Sequence, residues 1–361
     1  MRDILESRKV SSVLLVAGPR SYQETGAAKV LEPLLEGRHV ERFQRRDPYP
    51  TLEDIERGRE VLRRSRPELI IAVGGGAVLD LAKAMRVPFR VVDRHGRTAL
   101  VVDGPPPIVP LVAVPTTAGT GAETTRFAVV YVDGRKHSLD HPTVLPDHAI
   151  IDPSLTDSLG PRETAITGLD ALAQAIESIW SVAATDRSQR YAVRAARLAL
   201  ACLEEAALRP TPAARAAMSL AAHLAGRAID LTRTTACHAA SYPMTARFGI
   251  PHGHAVALTL PAMLAFNAAV GEGDVADPRG VTAVQRRIAT VLALLGVSEA
   301  EGGRRRLLEL MRRLSLETSL AELGIRDLEV ILAEGLSPER TGNNPRRLTR
   351  DDLREMLLRA S

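Results

Sequence analysis

Two histidines, one carboxylate and one amide are the side chains of this sequence whose types and spacing best suit a metal site. His238 and His252 are fourteen residues apart in an alanine-rich, apolar region, and neutral imidazole nitrogen binds Zn, Fe and Cu. Asp170 and Gln174 are four residues apart and would share one face of a helix. An acid on an apolar helical face is costly unless it is paired or metal-bound. The four side chains are candidate ligands, and a hydrogen-bonded histidine pair near a helix end is the alternative.

The composition is that of a soluble globular protein with room for two domains. The chain has 361 residues, of which 45% are hydrophobic and 25% charged, and its net charge is only +4. Arginine runs such as 304–306 lie in leucine-rich helical sequence, which favours a solvated helix face over a nucleic-acid surface. Aromatic residues make up 3%, too few for stacking platforms along a single strand. We therefore expect no nucleic-acid partner.

Cysteine usage and hydropathy predict a cytoplasmic protein. The two cysteines, Cys202 and Cys237, cannot form a disulfide framework. Residues 1–8 alternate charged and apolar residues and lack the apolar core of a signal peptide. No uncharged apolar run approaches membrane length, so no membrane association is expected.

The order of predicted elements divides the chain into an α/β domain and a helical domain. Short apolar runs that alternate with helical segments predict a doubly wound parallel sheet, with ligands at the carboxyl ends of its strands. The predicted strands are 12–18, 39–43, 68–73, 108–114, 127–132 and 149–151, and residues 90–107 are expected to be an irregular connection. From Ser154 onward, alanine and leucine recur at helical spacing. The expected domains are residues 1–153 and 154–361.

Two loops after predicted strands could cradle phosphate. Gly74–Gly76 follows a buried strand and opens a helix, so the backbone could approach a pyrophosphate at a helix amino terminus. The triplet differs from the G-x-G-x-x-G pattern, and alone it is equally explained by a tight turn. The loop 115–121 holds Thr116, Thr117 and Thr120 with two glycines, which exceeds what a plain turn needs.

Taken in order, several segments resemble the iron-containing (group III) alcohol dehydrogenases over nearly the whole chain. They are residues 74–83, residues 115–123, the two segments with the candidate ligands, and Asn344-Pro-Arg346. The resemblance implies an amino-terminal doubly wound parallel-sheet domain and an all-α carboxy-terminal domain, a plan shared with dehydroquinate synthases. It implies that Asp170, His238 and His252 bind Fe²⁺ or Zn²⁺. Gln174 stands where the family normally has a histidine.

The resemblance also implies a nicotinamide cofactor. Relatives that prefer NAD tend to carry an acid just after the first strand, whereas residues 17–21 have none and include Arg20. We therefore expect NADP(H) to be favoured over NAD(H), with Arg20 pairing with the 2′-phosphate; a surface arginine is the alternative. The expected cofactor contacts are Gly18, Arg20, Gly74, Gly75, Gly76, Asp80, Thr116, Thr117, Thr120 and Lys136.

The expected reaction is hydride transfer between the nicotinamide and a small aldehyde or alcohol, with the metal polarising the substrate oxygen. We expect the active cleft between the helical domain and the glycine end of the sheet. Tyr242 stands where the family often has a further histidine, and His254 follows His252 by two residues. Both are candidate catalytic residues for proton exchange. A phenol bonded to the backbone is the alternative for Tyr242.

The sequence around the candidate ligands looks most like that of the phosphonoacetaldehyde reductases, which form 2-hydroxyethylphosphonate. A phosphonate requires charge-assisted donors. The candidates are Arg126, His137, Arg346 and Arg347. The other functions left open are a short-chain alcohol or lactaldehyde dehydrogenase, a dehydroquinate-synthase-like lyase, and a non-catalytic binding relative. A homodimer is compatible with this family.

Overall fold

The computed structural model describes residues 1–93, 98–105 and 108–359. Residues 94–97 and 106–107, which belong to the predicted irregular connection, lie outside the described residues. The chain forms two compact units, Met1–Ser158 and Leu159–Ser361. The predicted boundary after Pro153 falls within one turn of 3-10 helix, Pro153–Thr156.

The first unit is an α/β structure. Its strands are β1 (Ser12–Ala17), β2 (His39–Gln44), β3 (Leu69–Gly74), β4 (Phe89–Asp93), β5 (Thr98–Val102), β6 (Leu111–Pro115), β7 (Phe127–Val132), β8 (Arg135–Asp140) and β9 (His148–Ala149). Its helices are α1 (Arg2–Ser7), α2 (Ser21–Glu24), α3 (Ala27–Leu35), α4 (Leu52–Ser65) and α5 (Gly76–Arg86).

The main sheet is parallel, with the strand order β2-β1-β3-β6-β9. Alternate residues of the central strands enter two separate apolar cores, as Leu14 and Val13 on β1 illustrate. Both faces of these strands are therefore buried, which explains why they are continuous apolar runs in the sequence. The doubly wound sheet is confirmed. In the β3–β6 register Gly74 is opposite Pro115, so the two predicted phosphate loops begin side by side.

Two antiparallel hairpins accompany the sheet. β7 and β8 are joined by Asp133 and Gly134, both at positive φ, as a two-residue hairpin turn requires. β4 and β5 also pair antiparallel. The prediction of an irregular connection over 90–107 is therefore wrong for the residues of these two strands.

The second unit is helical, as predicted. Its helices are α6 (Pro161–Trp180), α7 (Asp186–Leu208), α8 (Pro212–Thr232), α9 (Ala236–Phe248), α10 (His252–Ala268), α11 (Val281–Leu295), α12 (Ala300–Arg313), α13 (Glu329–Glu334), α14 (Pro338–Thr341) and α15 (Arg350–Arg359). Helix α6 packs against α7, α8, α10 and α11 and is buried continuously from Gly168 to Trp180. At Gly168 an added Cβ would lie 2.2 Å from Leu203 Cδ1, so the glycine permits close helix packing.

Within the described residues, no single helix combines the length and apolar composition needed to cross a membrane. The bent pair α11 and α12 meets both criteria only when its two members are taken together.

Candidate metal centre and cofactor loops

One face of α6 carries three buried polar side chains in an apolar setting. Asp170, Gln174 and Glu177 are spaced at i, i+4 and i+7, so they lie along one stripe of the helix. Gln174 Oε1 is buried and has no hydrogen-bond partner among the described residues. A buried amide oxygen without a partner is costly, so this atom is suited to bind a ligand that the protein atoms do not supply.

The connection between α9 and α10 places His238 and His252 on the same cluster. Gly249 ends α9 at φ 69°, a left-handed conformation that favours glycine, and Pro251 then caps α10. The side chain of His252 reaches back along α9, where its Nδ1 is 3.3 Å from Ser241 Oγ. The two imidazole rings have centroids 5.4 Å apart. One donor atom each from Asp170, His238 and His252 lies within 4.8 Å of the others.

Gly253 allows α10 to approach α6 at the cluster. A Cβ at this position would lie 2.2 Å from the backbone oxygen of Ile166 and 2.9 Å from Asp170 Cβ. The backbone cannot yield easily at such a contact, so only glycine fits here. Since His252 is the preceding residue, this close approach sets how near its imidazole comes to the Asp170 carboxylate.

Two carboxylates act on the ring of His238. Its Nδ1 is hydrogen-bonded to Glu177 Oε2, and its Nε2 is 3.4 Å from Asp170 Oδ1. Burial lowers the pKa of His238, but Glu177 and Asp170 act more strongly and raise it to about 9. A metal bound at Nε2 would have to replace a proton that this environment favours.

The donor set suits a divalent transition metal. Ser241 Oγ donates to His238 O at 2.7 Å, so its oxygen can accept from His252 Nδ1 and leave Nε2 of that ring unprotonated. One carboxylate and two imidazoles, with the buried Gln174 oxygen on the same helix face, match the ligand preferences of Fe²⁺ and Zn²⁺. The residues present therefore fit the metal that the sequence predicts.

The two candidate catalytic residues occupy different environments. The Tyr242 ring is 6.3 Å from the His252 ring, centroid to centroid, and its hydroxyl accepts from Arg340 Nε at 3.3 Å. His254 is fully buried, and its Nε2 is 2.7 Å from the backbone oxygen of Glu317. Burial lowers the pKa of His254. Tyr242 thus lies beside the cluster, whereas the position of His254 does not favour proton exchange with solvent.

The predicted phosphate loops meet at the amino terminus of α5. Gly75 caps this helix and Gly76 begins it. A Cβ on Gly76 would lie 2.8 Å from Thr120 Cγ2, and one on Gly75 would lie 3.4 Å from Thr117 Cγ2. Thr116 N donates to Gly74 O at 3.0 Å. The structure therefore brings glycine backbone and threonine side chains together at a helix amino terminus, an arrangement suited to a pyrophosphate.

Asp80 lies on α5, next to a buried lysine. Lys83 Nζ is 3.4 Å from Asp80 Oδ1 and donates to the backbone oxygens of Ala122 and Phe127. Burial raises the pKa of Asp80, although the positive charges of Lys83 and Lys136 oppose the rise. Lys83 thus anchors the end of the threonine loop to α5, and Lys136 on β8 lies close enough to act on the same carboxylate.

The residues expected to select the cofactor lie after β1. Gly18 follows the strand directly, and a Cβ there would be 3.7 Å from Val78 Cγ2 of α5. Arg20 precedes α2 and is exposed. Its guanidinium is therefore accessible to a ligand at the carboxyl end of β1.

The four predicted phosphonate contacts fall into two groups. Arg126, 3.6 Å from Asp140, and the partly buried His137 belong to the β7–β8 region. Arg346 donates to Asp274 and to Phe266 O, both at 2.7 Å, and stacks on the Phe266 ring. Arg347 donates to backbone oxygens of residues 273 and 275. The last two guanidiniums join the carboxy-terminal segment to the loop after α10, which does not favour substrate binding.

Glu177 and Arg340 are absent from the predicted site residues. Glu177 could be found from its spacing, because it lies three residues after Gln174 on the same apolar helix face. Arg340 carries no such signal: it lies on a four-residue helix, and its approach to Tyr242 is a tertiary contact.

Comparison with known proteins identifies the family. Residues 1–153 match the model of the iron-containing alcohol dehydrogenases, and residues 164–361 match that of the carboxy-terminal region of the same family. The chain belongs to the iron-containing alcohol dehydrogenase family. It is an NAD(P)-dependent oxidoreductase, which is at odds with the lyase and the non-catalytic alternatives.

Individual relatives act on small aldehydes or alcohols. A phosphonoacetaldehyde reductase of Streptomyces viridochromogenes is 40% identical over 308 residues, covering 82% of this chain and 77% of the relative. An NADPH-dependent butanol dehydrogenase of Clostridium saccharobutylicum is 30% identical over 381 residues, covering 98% and 92%. The crystal structure of a sulfoacetaldehyde reductase from Bifidobacterium kashiwanohense with NAD⁺ superimposes with a TM-score of 0.84 at 28% identity, covering 100% and 93%.

Gly253→Ala is expected to weaken metal binding by about ten- to a hundredfold, the range found when the supports of metal ligands are altered. The added methyl group must push α10 away from the Ile166 carbonyl and carry His252 with it. Competition with a chelator would measure the change in Kd. Gly271→Ala is the control, because a Cβ at Gly271 meets nothing within 4 Å. Equal Kd values for the two variants would contradict the role given to Gly253.

Proposed function

We propose that this enzyme uses NADPH to reduce phosphonoacetaldehyde to 2-hydroxyethylphosphonate at a metal centre formed by Asp170, His238 and His252. The observation that supports the reaction class is the convergence of these three donors within 4.8 Å in a chain of this family. The 40% identity to a phosphonoacetaldehyde reductase supports the substrate.

A metal held by Asp170, His238 and His252 would supply Lewis-acid chemistry for the aldehyde, and a nicotinamide would supply the hydride. The protein has to bind and orient both partners. Glycine backbone and Thr117 and Thr120 at the start of α5 would hold the pyrophosphate, and Asp80 would lie near the nicotinamide ribose. Asp170 and His238 are buried, and their burial would exclude water from the site. Tyr242, beside His252, would relay a proton between solvent and the product oxygen.

A phosphonate substrate needs cations, and not every predicted arginine is equally suited to supply them. Arg126 and His137, in the β7–β8 region, would contact the phosphonate. Arg346 and Arg347 are weaker candidates, since their guanidiniums bind Asp274 and backbone oxygens. Arg340 adds a buried guanidinium hydrogen-bonded to Tyr242 and becomes a further candidate on the helical unit.

A short-chain alcohol dehydrogenase is the second candidate, favoured by the similarity to an NADPH-dependent butanol dehydrogenase over nearly the whole chain. Such an enzyme would share the metal centre and the glycine loop but would need no cation for its substrate. The enzyme would act as a homodimer in the cytoplasm.

Phosphonoacetaldehyde should be reduced with a kcat/KM at least about tenfold higher than that of butanal, because pairing its anionic oxygens with a buried cation contributes about 1.5–3 kcal/mol.

Activity should disappear on exhaustive chelation and return with Fe²⁺ or Zn²⁺. His252→Ala should retain neither metal nor activity. A preference for butanal would support the second candidate, and full activity in metal-free protein would contradict the metal centre.

Arg20→Ala should lower kcat/KM for NADPH by about ten- to a hundredfold, the loss expected for one charge-assisted hydrogen bond, and should change NADH little. The unsubstituted enzyme should prefer NADPH. Arg63→Ala is the control, since Arg63 is also an exposed arginine but lies near the end of α4, which leads into the amino end of β3. Equal losses with both cofactors would make Arg20 a structural residue.

Gln174→His should tighten metal binding and at the same time lower turnover of phosphonoacetaldehyde relative to butanal. An amide oxygen is a weaker donor than imidazole to late divalent ions, so glutamine leaves the metal more electrophilic and leaves room for an anionic substrate. Gln174→Leu, which keeps the volume without a donor, is the control. If the histidine variant is faster on every aldehyde, glutamine is not an adaptation to this substrate.

A further inference from the structure

Glu177 is a fully buried carboxylate with an unusual number of donors. Its Oε1 accepts from the backbone N–H groups of Thr235, at 3.1 Å, and Cys237, at 3.0 Å. It also accepts from Thr235 Oγ1 at 2.6 Å and from the N–H of His238 at 3.4 Å. Four donors stabilise the negative charge of this carboxylate and so favour its ionised form.

The N–H groups of Cys237 and His238 belong to the first turn of α9, and the two donors of Thr235 belong to the residue that precedes this helix. The side chain of Thr235, the residue before the helix, makes no capping hydrogen bond within it and instead donates to Glu177. Trp180 Nε1 donates in turn to Thr235 Oγ1 at 3.0 Å. Glu177 thus caps α9 from a different helix, and its negative charge lies at the positive end of the α9 dipole.

The chain is bent sharply to bring these groups to Glu177. Arg233, between α8 and α9, has φ 58° and ψ 177°, a conformation that is nearly confined to glycine and costs about 1–3 kcal/mol. Asn343 Nδ2 holds the bend by donating to the carbonyls of Thr232 and Thr234, at 2.7 and 3.0 Å. The backbone at the start of α9 is therefore fixed on both sides before His238 is reached.

The second oxygen of Glu177, Oε2, is hydrogen-bonded to the imidazole ring of His238. Because Oε1 is occupied by α9, Oε2 is directed at His238 Nδ1 and can only accept. A neutral His238 must then carry its proton on Nδ1. Its Nε2, which faces Asp170 Oδ1 at 3.4 Å, presents a lone pair to the ligand cluster.

We infer that Glu177 is the positioning residue of the metal centre: it fixes both the tautomer and the orientation of His238, and it strengthens His238 as a donor where Gln174 is weak. This inference rests on the proposed metal centre. One α6 carboxylate, that of Asp170, would bind the metal directly, and a second, seven residues on, would act through the imidazole.

Glu177→Gln tests the inference with almost no change in volume. The amide oxygen can still accept from α9, but the amide nitrogen then faces His238 Nδ1 and donates to it. The proton of His238 must move to Nε2, where it blocks the metal. We expect the Kd for Co²⁺, measured by competition with a chelator, to rise about ten- to a hundredfold. The visible ligand-field spectrum of the cobalt form should change as well.

Thr235→Val is the matched control. It removes a hydrogen bond to the same carboxylate and the contact with Trp180, but it leaves Oε2 on His238. Thermal unfolding of the metal-free protein should show a loss of stability, while the Kd for Co²⁺ should stay near that of the unsubstituted protein. Equal losses of metal affinity in both variants would show that Glu177 acts only by folding α9, and would overturn the inference.

A measurement on the unsubstituted protein covers the case in which Glu177→Gln does not fold. In the Zn²⁺-loaded protein with ¹⁵N-labelled histidine, the NMR spectrum should show His238 protonated at Nδ1. Protonation at Nε2 would overturn the inference, and so would a Glu177→Gln variant with unchanged Kd and cobalt spectrum. If the unsubstituted protein binds no Co²⁺, the metal centre itself is refuted together with this inference.

Discussion

The helical unit has to keep two carboxylates and an amide on one buried face of α6. In an apolar interior each of these groups is unstable without a partner. Glu177 obtains partners from the start of α9, and Asp170 lies against the two imidazoles. The packing of α9 and α10 on α6 is thus tied to polar contacts as well as to the burial of alanine and leucine. The same contacts that solve the burial problem assemble the ligand cluster.

The two units meet different physical requirements. In the first, glycines at the end of β3 and threonines after β6 surround a helix amino terminus whose backbone N–H groups would bind the cofactor, and Lys83 anchors that loop. In the second, side chains from three helices converge on one point. A phosphate is held well by many weak N–H donors, whereas a metal requires a few strong donors at fixed distances.

The sequence predicted most of the fold because buried parallel strands and amphipathic helices leave clear periodic signals. It failed for β4, where Arg90 and Asp93 interrupt the apolar residues, and for β5, although residues 99–102 form a short apolar run. It gave no helix for α9, which contains Pro243 and is buried on most sides. Residue type and spacing, together with the family resemblance, indicated the candidate ligands. The buried state of His254 and the contact between Arg340 and Tyr242 were not, since both depend on segments distant in the chain.

Asp170, Gln174 and Glu177 lie along one stripe of α6, and this arrangement limits insertions and deletions within the helix. A helix turns by about 100° per residue, so one inserted residue between positions 170 and 177 would move everything after it to another face. Asp170 would stay at the cluster while Glu177 turned away from α9. A substitution in α6 changes the contacts of one side chain, whereas an insertion or deletion there would remove several contacts at once. Variation in length among natural relatives should therefore be found in the loops and not between these two carboxylates.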